Sequence, residues 1–301
     1  MVDAEMASIS GIALWQWRQQ ARQQAIAANI APAEVDWLLQ EVAGLDRLAL
    51  RLDSFKDRAE IPLQLPFSDL VQLWEQRRID RVPVQYLMGK TPWRNLALQV
   101  SPAVLIPRPE TELLIDLAVA AAVNRPGLQQ GDWADLGTGS GAIALGLALA
   151  FPAAQIHAVD VSPQALAIAQ HNAQTLQVDD RIQFYLGSWF EPLTHLQGRL
   201  SGMVSNPPYI PSHLIPDLQP EVTRHEPHLA LDGGSDGLEA IRQLVAIAPN
   251  YLQADGVWLI EMMAGQAAAV VSLLEAQGQY RDIQIHPDLA GIDRFALAHR
   301  G

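Results

Sequence analysis

The segment Asn206-Pro207-Pro208-Tyr209 places a side-chain amide, two prolines and an aromatic ring in consecutive positions at the end of an apolar run. An asparagine oxygen and the carbonyl of the next residue are two hydrogen-bond acceptors, and when held rigidly they can bind both hydrogens of a planar –NH2 group. The prolines supply rigidity because they have little conformational freedom to lose, and Tyr209 offers a flat face on which an amide or a base can stack. The segment predicts a site for an amide or amino nitrogen, and the simpler alternative is a rigid loop after a strand.

A glycine-rich stretch with the sequence DLGTGSG begins at Asp135. Its three glycines, Gly137, Gly139 and Gly141, lie between a predicted strand and a predicted helix, where glycine permits a tight turn and close approach of a ligand. Asp160 ends the next predicted strand, and a carboxylate there can accept both hydroxyls of a ribose. The stretch alone fits nicotinamide and S-adenosylmethionine cofactors about equally. A hydride-transfer enzyme has no use for a site that binds –NH2, so the Asn-Pro-Pro-Tyr segment favours S-adenosylmethionine.

Strands and helices alternate in the sequence after residue 130. Runs such as QIHAVDVS and GVWLIEM are typical of strands, and PQALAIAQHNAQTL and EAIRQLVAIAPNYL are typical of helices. Strict alternation predicts a parallel sheet with helices on both faces, and the final pair, YRDIQIHPD and DRFALAHR, predicts a β-hairpin that closes it. Ligands of such sheets bind beyond the carboxyl ends of the strands. This rule places five residues along one crevice: Asp135, Gly137, Asp160, Ser188 and Asn206.

The first third of the chain has helical patterns. Apolar residues recur with helical spacing at Val35, Leu38, Leu39 and Val42. A further helix is predicted in PFSDLVQLWEQRR, with Ser68 as its N-cap. From residue 81 the sequence is rich in proline and β-formers, which predicts a hairpin. The expected organisation is a helical domain over 1–80, a linker hairpin over 81–107 and an α/β domain over 108–301.

Charge bears on possible partners. The chain has 20 lysines and arginines against 33 aspartates and glutamates, a net charge of −13. Residues 1–90 carry −2 and residues 91–301 carry −11. Because duplex DNA binding usually needs a basic surface, direct binding to nucleic acid is not expected.

Composition limits other classes of function. The chain has no cysteine, so disulfides, thiolate nucleophiles and cysteine metal sites are impossible. His225 and His228 flank a proline without helical spacing, and no metal site is predicted there. The N-terminus lacks the pattern of a signal peptide and no apolar run is long enough to span a membrane, so we expect a soluble cytoplasmic protein with no membrane partner.

Several segments together resemble one enzyme family. RVPVQYLMG and LIPRPETE precede the glycine stretch, and HEPHLALDGGSDGL follows the Asn-Pro-Pro-Tyr segment. With DLGTGSG, they resemble the protein-(glutamine-N5) methyltransferases of the PrmC/HemK family over roughly residues 81–300. The resemblance implies a class I Rossmann-like methyltransferase domain with a small N-terminal helical domain joined by a β-hairpin linker. It also implies an enzyme that methylates the glutamine of the Gly-Gly-Gln motif in peptide chain release factors and converts S-adenosylmethionine to S-adenosylhomocysteine.

The resemblance also assigns roles to residues. The expected cofactor-binding residues are Asp135, Gly137, Thr138, Gly139, Ser140, Gly141, Asp160, Trp189 and Asn206. Within this set the glycine stretch holds the methionine end, Asp160 the ribose, and Trp189 lies near the adenine. The expected residues for the substrate glutamine are Asn206, Pro207, Pro208 and Tyr209, with Asn206, Pro207 and Tyr209 as the catalytic ones. Residues 1–80 are expected to recognise the release factor.

Two other functions remain open from the sequence. An adenine-N6 methyltransferase acting on DNA or RNA also presents an –NH2 group beside a ring, but it needs base flipping and a basic channel. A second alternative is a module that binds S-adenosylmethionine without catalysis. The roles of Arg108, Glu110 and Glu226 are also open between pocket lining and structural pairing or capping.

Overall fold

The computed structural model describes residues 7–123 and 125–301. The chain divides into two compact units with the boundary between Gly89 and Lys90. The first unit is helical, apart from a ribbon of two short antiparallel strands. Its elements are β1 (Ser8–Ile9), α1 (Gly11–Ala27), α2 (Ala33–Ala43), α3 (Arg47–Leu52), β2 (Ile61–Pro62), α4 (Phe67–Glu75) with a π-helical extension (Gln76–Asp80), and α5 (Val84–Met88).

Helix α2 supplies much of the core of the first unit. One face of this helix is completely buried at Val35, Leu38, Leu39 and Val42. The helical spacing predicted for this stretch is therefore confirmed. Gly44 follows in the left-handed region with φ 61°, which ends the helix where glycine has no Cβ penalty.

Helix α4 starts two residues earlier than a helix with Ser68 as its N-cap would. Pro66 is the last extended residue, with φ −54° and ψ 144°, and the helix begins at Phe67. The prediction that Ser68 is the N-cap is wrong, because Ser68 already lies inside the first turn. Its hydroxyl donates to Asp69 Oδ1 at 3.1 Å instead of accepting from the backbone.

The second unit begins with an antiparallel hairpin, β3 (Lys90–Trp93) and β4 (Leu96–Gln99). The predicted alternation holds, since Leu96 and Leu98 are buried and the intervening residue is exposed. Trp93 and Leu98 belong to the core of this unit, together with side chains of the two helices that follow the hairpin. The hairpin is thus packed as part of the second unit.

A seven-stranded sheet forms the centre of the second unit, with the strand order β10-β11-β9-β8-β5-β6-β7. The five strands from β9 to β7 are parallel, and β11 is antiparallel to both of its neighbours, as the predicted closing hairpin requires. The elements are α6 (Leu113–Ala122), α7 (Pro126–Gln130), β5 (Asp132–Leu136), α8 (Ala142–Ala150), β6 (Gln155–Asp160), α9 (Pro163–Thr175), β7 (Ile182–Leu186), β8 (Leu200–Ser205), α10 (Pro220–His225), α11 (Glu239–Ile247), β9 (Leu252–Glu261), α12 (Ala267–Gln277), β10 (Tyr280–Pro287) and β11 (Asp293–Arg300). The α/β fold class is confirmed.

The sheet is covered on both faces, by one core with α6 and α8 and another with α11 and α12. The chain runs outward from β5 to β6 and β7, then returns to the other side of β5 as β8 and β9. Such a reversal opens a crevice beyond the carboxyl ends of the strands. None of the helices within 7–123 and 125–301 is long and apolar enough to cross a bilayer.

Candidate active site

The glycine stretch forms a tight turn between β5 and α8. Gly137, Gly139 and Gly141 all have positive φ, at 82°, 55° and 85°. The N–H groups of Gly137 and Thr138 both donate to the carbonyl of Val159 on the next strand, at 2.9 Å each. A Cβ on Gly141 would lie 3.1 Å from the Cβ of Ala169. The sequence uses glycine here because the turn is left-handed and close to its neighbour.

Asp135 supports this turn from beneath. Its side chain is completely buried, and Oδ2 accepts hydrogen bonds from Thr138 Oγ1 at 2.6 Å and from the Ala144 N–H at 2.9 Å. Burial raises the pKa of Asp135 to about 7, although these two hydrogen bonds oppose the shift. Asp135 does not line the cavity described below; it fixes the loop whose other residues do.

Asp160 lies at the end of β6 and faces that cavity. Its Oδ2 accepts from the Gly139 N–H at 2.8 Å, and its Oδ1 accepts from the Ser162 N–H at 2.9 Å. Each carboxylate oxygen has two lone pairs. One on each oxygen is therefore left to accept a hydroxyl, which is the chemistry expected of a ribose-binding carboxylate.

A cavity of about 480 Å³ opens over these residues, a volume in the range of small-molecule sites. Trp189 forms one wall, and a Cβ on Gly137 would lie 3.3 Å from its ring. The cavity combines apolar walls, an aromatic ring, a glycine turn and a carboxylate. Its lining includes Gly137, Thr138, Gly139, Ser140, Asp160, Trp189, Asn206 and Pro208, and it excludes Asp135, Gly141, Pro207 and Tyr209.

Asn206 follows β8 and borders the same cavity. Its Nδ2 donates to Thr111 Oγ1 at 3.2 Å. Among the described residues, neither Asn206 Oδ1 nor the carbonyl of Pro207 accepts a hydrogen bond. Both acceptors that the sequence predicts for an –NH2 group are therefore free of partners among the described residues, and of the two residues only Asn206 lines the cavity.

Tyr209 is anchored at both its hydroxyl and its backbone. The phenol donates to Glu261 Oε1 at 3.1 Å, and the carbonyl accepts from Gln266 Nε2 at 3.0 Å. Burial, and then the nearby Glu261 carboxylate, raise the pKa of Tyr209 above its usual range. A Cβ on Gly237 would lie 2.3 Å from the Tyr209 carbonyl oxygen. The DGGSDGL segment therefore packs directly on the backbone of this tyrosine.

Arg108 and Glu226 answer a question that the sequence leaves open, because they pair with each other. Arg108 Nη1 and Nη2 donate to the two Glu226 oxygens at 2.9 and 2.6 Å. Glu226 is 4% exposed, and burial raises the pKa of its carboxyl while Arg108 lowers it. Glu110 begins the short 3-10 turn that leads into α6.

Three residues at this site were missed by reasoning from the sequence: Thr111, Glu261 and Gln266. Thr111 lies within the LIPRPETE segment, and its hydroxyl donates to Glu261 Oε2 at 2.7 Å. Glu261 ends β9, which pairs with β8, the strand that Asn206 follows. The rule that polar residues at the carboxyl ends of neighbouring strands converge could have identified Glu261.

Known proteins resemble this chain closely. The family model "Methyltransferase small domain" matches residues 111–218. A release factor glutamine methyltransferase of Synechocystis sp. is 54% identical over 96% of this chain and 97% of its own length. The protein of the same name from Thermosynechococcus vestitus is 50% identical over 96% of this chain and 99% of its own length. The solved structure of the hMettl16 catalytic domain with the MAT2A 3′UTR hairpin 6 is similar in fold, with a TM-score of 0.55 over 77% of this chain and 80% of that chain at 15% identity.

Proposed function

Because this chain belongs to the release factor glutamine methyltransferase family, we propose that it methylates the side-chain amide nitrogen of the glutamine in the Gly-Gly-Gln motif of peptide chain release factors. The observation that carries the proposal is that two acceptors on adjacent residues, Asn206 Oδ1 beside the cavity and the Pro207 carbonyl next to it in the chain, receive no hydrogen bond from the described residues. Two acceptors on adjacent residues suit the two hydrogens of a primary amide. Release factors act on ribosomes, so the proposed place of action is the cytoplasm.

The residues around the cavity fit S-adenosylmethionine. The glycine turn exposes backbone for close approach of the methionine end, Asp160 retains lone pairs for the ribose hydroxyls, and Trp189 provides a ring for the adenine. This cofactor supplies the methyl group, which it carries on a positively charged sulfur.

The chemical difficulty lies in the nucleophile. An amide nitrogen is a poor nucleophile because its lone pair is delocalised into the carbonyl, and we assign no general base. Asn206 Oδ1 and the Pro207 carbonyl would hold the two hydrogens and direct the nitrogen into the cavity. Orientation of this kind can lower a barrier by several kcal/mol. The same acceptors stabilise positive charge as it builds on nitrogen, and the surplus proton leaves to water.

The first unit is proposed to bind the release factor away from the glutamine. It contains a cavity of about 700 Å³ bordered by Arg22, Trp37, Arg47 and Arg51. Arg47 and Arg51 are exposed, and within the part of the chain that the structure describes they have no hydrogen-bond or ion-pair partner. A glutamine in a loop offers little surface, so such a second contact would supply specificity.

The alternative substrate, adenine in DNA or RNA, is not favoured. The relatives that match nearly the whole chain are named release factor glutamine methyltransferase. The net charge of −13 also opposes the basic channel that a base-flipping enzyme needs. The experiment is single-turnover methyl transfer to a purified release factor, with mass spectrometry to locate the methyl group. Release factor with its Gly-Gly-Gln glutamine replaced is the control, and methylation that persists in this control would exclude the proposed target.

A further inference from the structure

A buried chain of hydrogen bonds lies behind the Asn-Pro-Pro-Tyr segment. Glu261 is 0% exposed and accepts from Thr111 Oγ1 at 2.7 Å and from the Tyr209 phenol at 3.1 Å. Thr111 is 4% exposed and accepts from Asn206 Nδ2 at 3.2 Å. The end of β9 is therefore connected to Asn206 through one hydroxyl and to Tyr209 directly.

The number of protons on each group decides which group donates and which accepts in these hydrogen bonds. A threonine hydroxyl has one proton, and here that proton is donated to the Glu261 carboxylate. Thr111 is then left with lone pairs alone towards Asn206, so it can receive the –NH2 end of the amide and not the oxygen. A threonine whose proton was free could bind either end of the amide.

Resting on the methyl transfer proposed above, we propose that Glu261 and Thr111 are positioning residues that determine which end of the Asn206 amide faces the substrate. With Nδ2 held by Thr111, Oδ1 is turned to the substrate –NH2 as an acceptor. With the amide reversed, Asn206 would present its own hydrogens to the hydrogens of the substrate. The rigid prolines fix the backbone of the segment. The hydrogen bonds through Thr111 and Glu261 then fix which way round the Asn206 amide lies.

The Glu261 carboxylate decides which way the hydrogen bonds run, because it draws the Thr111 proton away from Asn206. The ionised form of Glu261 has no proton of its own and can only accept from Thr111 and Tyr209, whereas the protonated form has a proton that it can donate to either hydroxyl and so reverse that hydrogen bond. Burial raises the pKa of Glu261 to about 7, the two hydrogen bonds lower it, Glu110 raises it and Arg294 lowers it. The rate of transfer should therefore fall as the pH decreases through about 7.

Two substitutions at position 111 form a matched pair. Thr111→Ser keeps the hydroxyl and should retain most of the wild-type kcat. Thr111→Val removes the acceptor at nearly the same volume, and kcat should fall about 10- to 100-fold, as expected for a misplaced contact group. If both variants transfer methyl at the same rate, Thr111 does not position Asn206.

The variant Glu261→Gln tests whether the charge of the Glu261 carboxylate orients the Thr111 hydroxyl. Because Glu261 does not itself line the cavity, S-adenosylmethionine affinity should stay within about threefold while kcat falls about 10- to 100-fold. The loss should be smaller in the Thr111→Val background, since the connection to Asn206 is already broken there. The ratio of wild-type to Glu261→Gln rates should increase with pH through about 7. A ratio that stays constant with pH, or losses that add in the double variant, would overturn the role of the carboxylate. If Glu261→Gln does not fold, the comparison of Thr111→Ser with Thr111→Val still tests the proposal.

A second measurement does not depend on the reaction. In NMR spectra of full-length protein labelled with ¹⁵N-asparagine, the Asn206 side-chain amide is identified by its loss in Asn206→Ala. Its protons should be protected from exchange in the wild type and in Thr111→Ser, and should lose protection in Thr111→Val and Glu261→Gln. Equal protection in all four proteins would overturn the proposal. If protection follows this pattern but the wild type methylates no release factor, the positioning is right and the proposed function is wrong.

Discussion

Arg108 and Glu226 lie 118 residues apart in the chain and form an ion pair with two hydrogen bonds. The residues next to them, Pro107 and Pro227, both line the cavity. The pair therefore joins two loops that form part of its wall. Both loops belong to the segments by which the sequence resembles its family, which gives those segments a physical role.

Substituting Arg108 by methionine should destabilise the protein. The buried Glu226 carboxylate would lose its partner, and we expect the free energy of unfolding to fall by roughly 2–3 kcal/mol. Chemical denaturation measures this change. Adding Glu226→Gln should restore part of the loss, because the unpaired charge is removed. A double variant no more stable than Arg108→Met would contradict this account.

Asp160→Ala should weaken S-adenosylmethionine binding. The substitution removes the carboxylate proposed for the ribose and also frees the Gly139 N–H, with a loss of roughly 2–4 kcal/mol in binding free energy. Isothermal titration calorimetry measures it directly. Asp160→Asn is the matched control, since it keeps one acceptor and should lose less. An affinity in Asp160→Ala equal to that of the wild type would show that the ribose is held elsewhere.

Asn206→Ala should impair transfer more than cofactor binding. One of the two acceptors for the substrate –NH2 is deleted, and by analogy with the loss of one transition-state hydrogen bond, the single-turnover rate should fall about 10²- to 10³-fold. Asn206→Asp keeps an acceptor and should retain more activity than the alanine variant. Full activity in Asn206→Ala, measured on a release factor, would mean that the segment does not hold the substrate amide.

Gly237→Ala should disturb the Asn-Pro-Pro-Tyr segment through its backbone. Gly237 has φ +76° and a Cβ there would lie 2.3 Å from the Tyr209 carbonyl oxygen, whereas Gly291 has φ +79° and open space. Both substitutions should cost about 1–2 kcal/mol for the left-handed conformation. Gly237→Ala should cost about 1–3 kcal/mol more and slow methyl transfer. Equal stability and equal rates in the two variants would rule out this contact as a constraint.

Reversing two charges on α3 tests the proposed role of the first unit. The double variant Arg47→Glu/Arg51→Glu should raise the KM for whole release factor roughly 5- to 20-fold at low salt, and leave S-adenosylmethionine binding unchanged. Arg47→Lys/Arg51→Lys keeps the charges and serves as the control. If steady-state kinetics show the same KM for all three proteins, these arginines do not contact the substrate.

The sequence by itself determined the α/β fold, the crevice and the family. Alternation of strands with helices implies a parallel sheet, whose strand ends must converge. The resemblance assigned Asp135, residues 137–141, Asp160, Trp189 and residues 206–209 to cofactor and substrate, and these assignments stay predictions. Local sequence did not identify Phe67 as the first residue of α4, because serine is a preferred N-cap residue and the helix instead follows Pro66.

The tertiary structure decided how these residues are supported. Asp135 is predicted to bind the cofactor. The structure places it beneath the glycine turn, where it bonds to Thr138 and is not part of the cavity lining. The pairing of Arg108 with Glu226, and of Thr111 with Glu261 over 150 positions, also appears only in the fold. Local sequence cannot show such partners because a buried polar group is satisfied by whatever the packing brings within hydrogen-bond distance. Sequence patterns identify groups that can do chemistry, and long-range packing fixes which way each of them points.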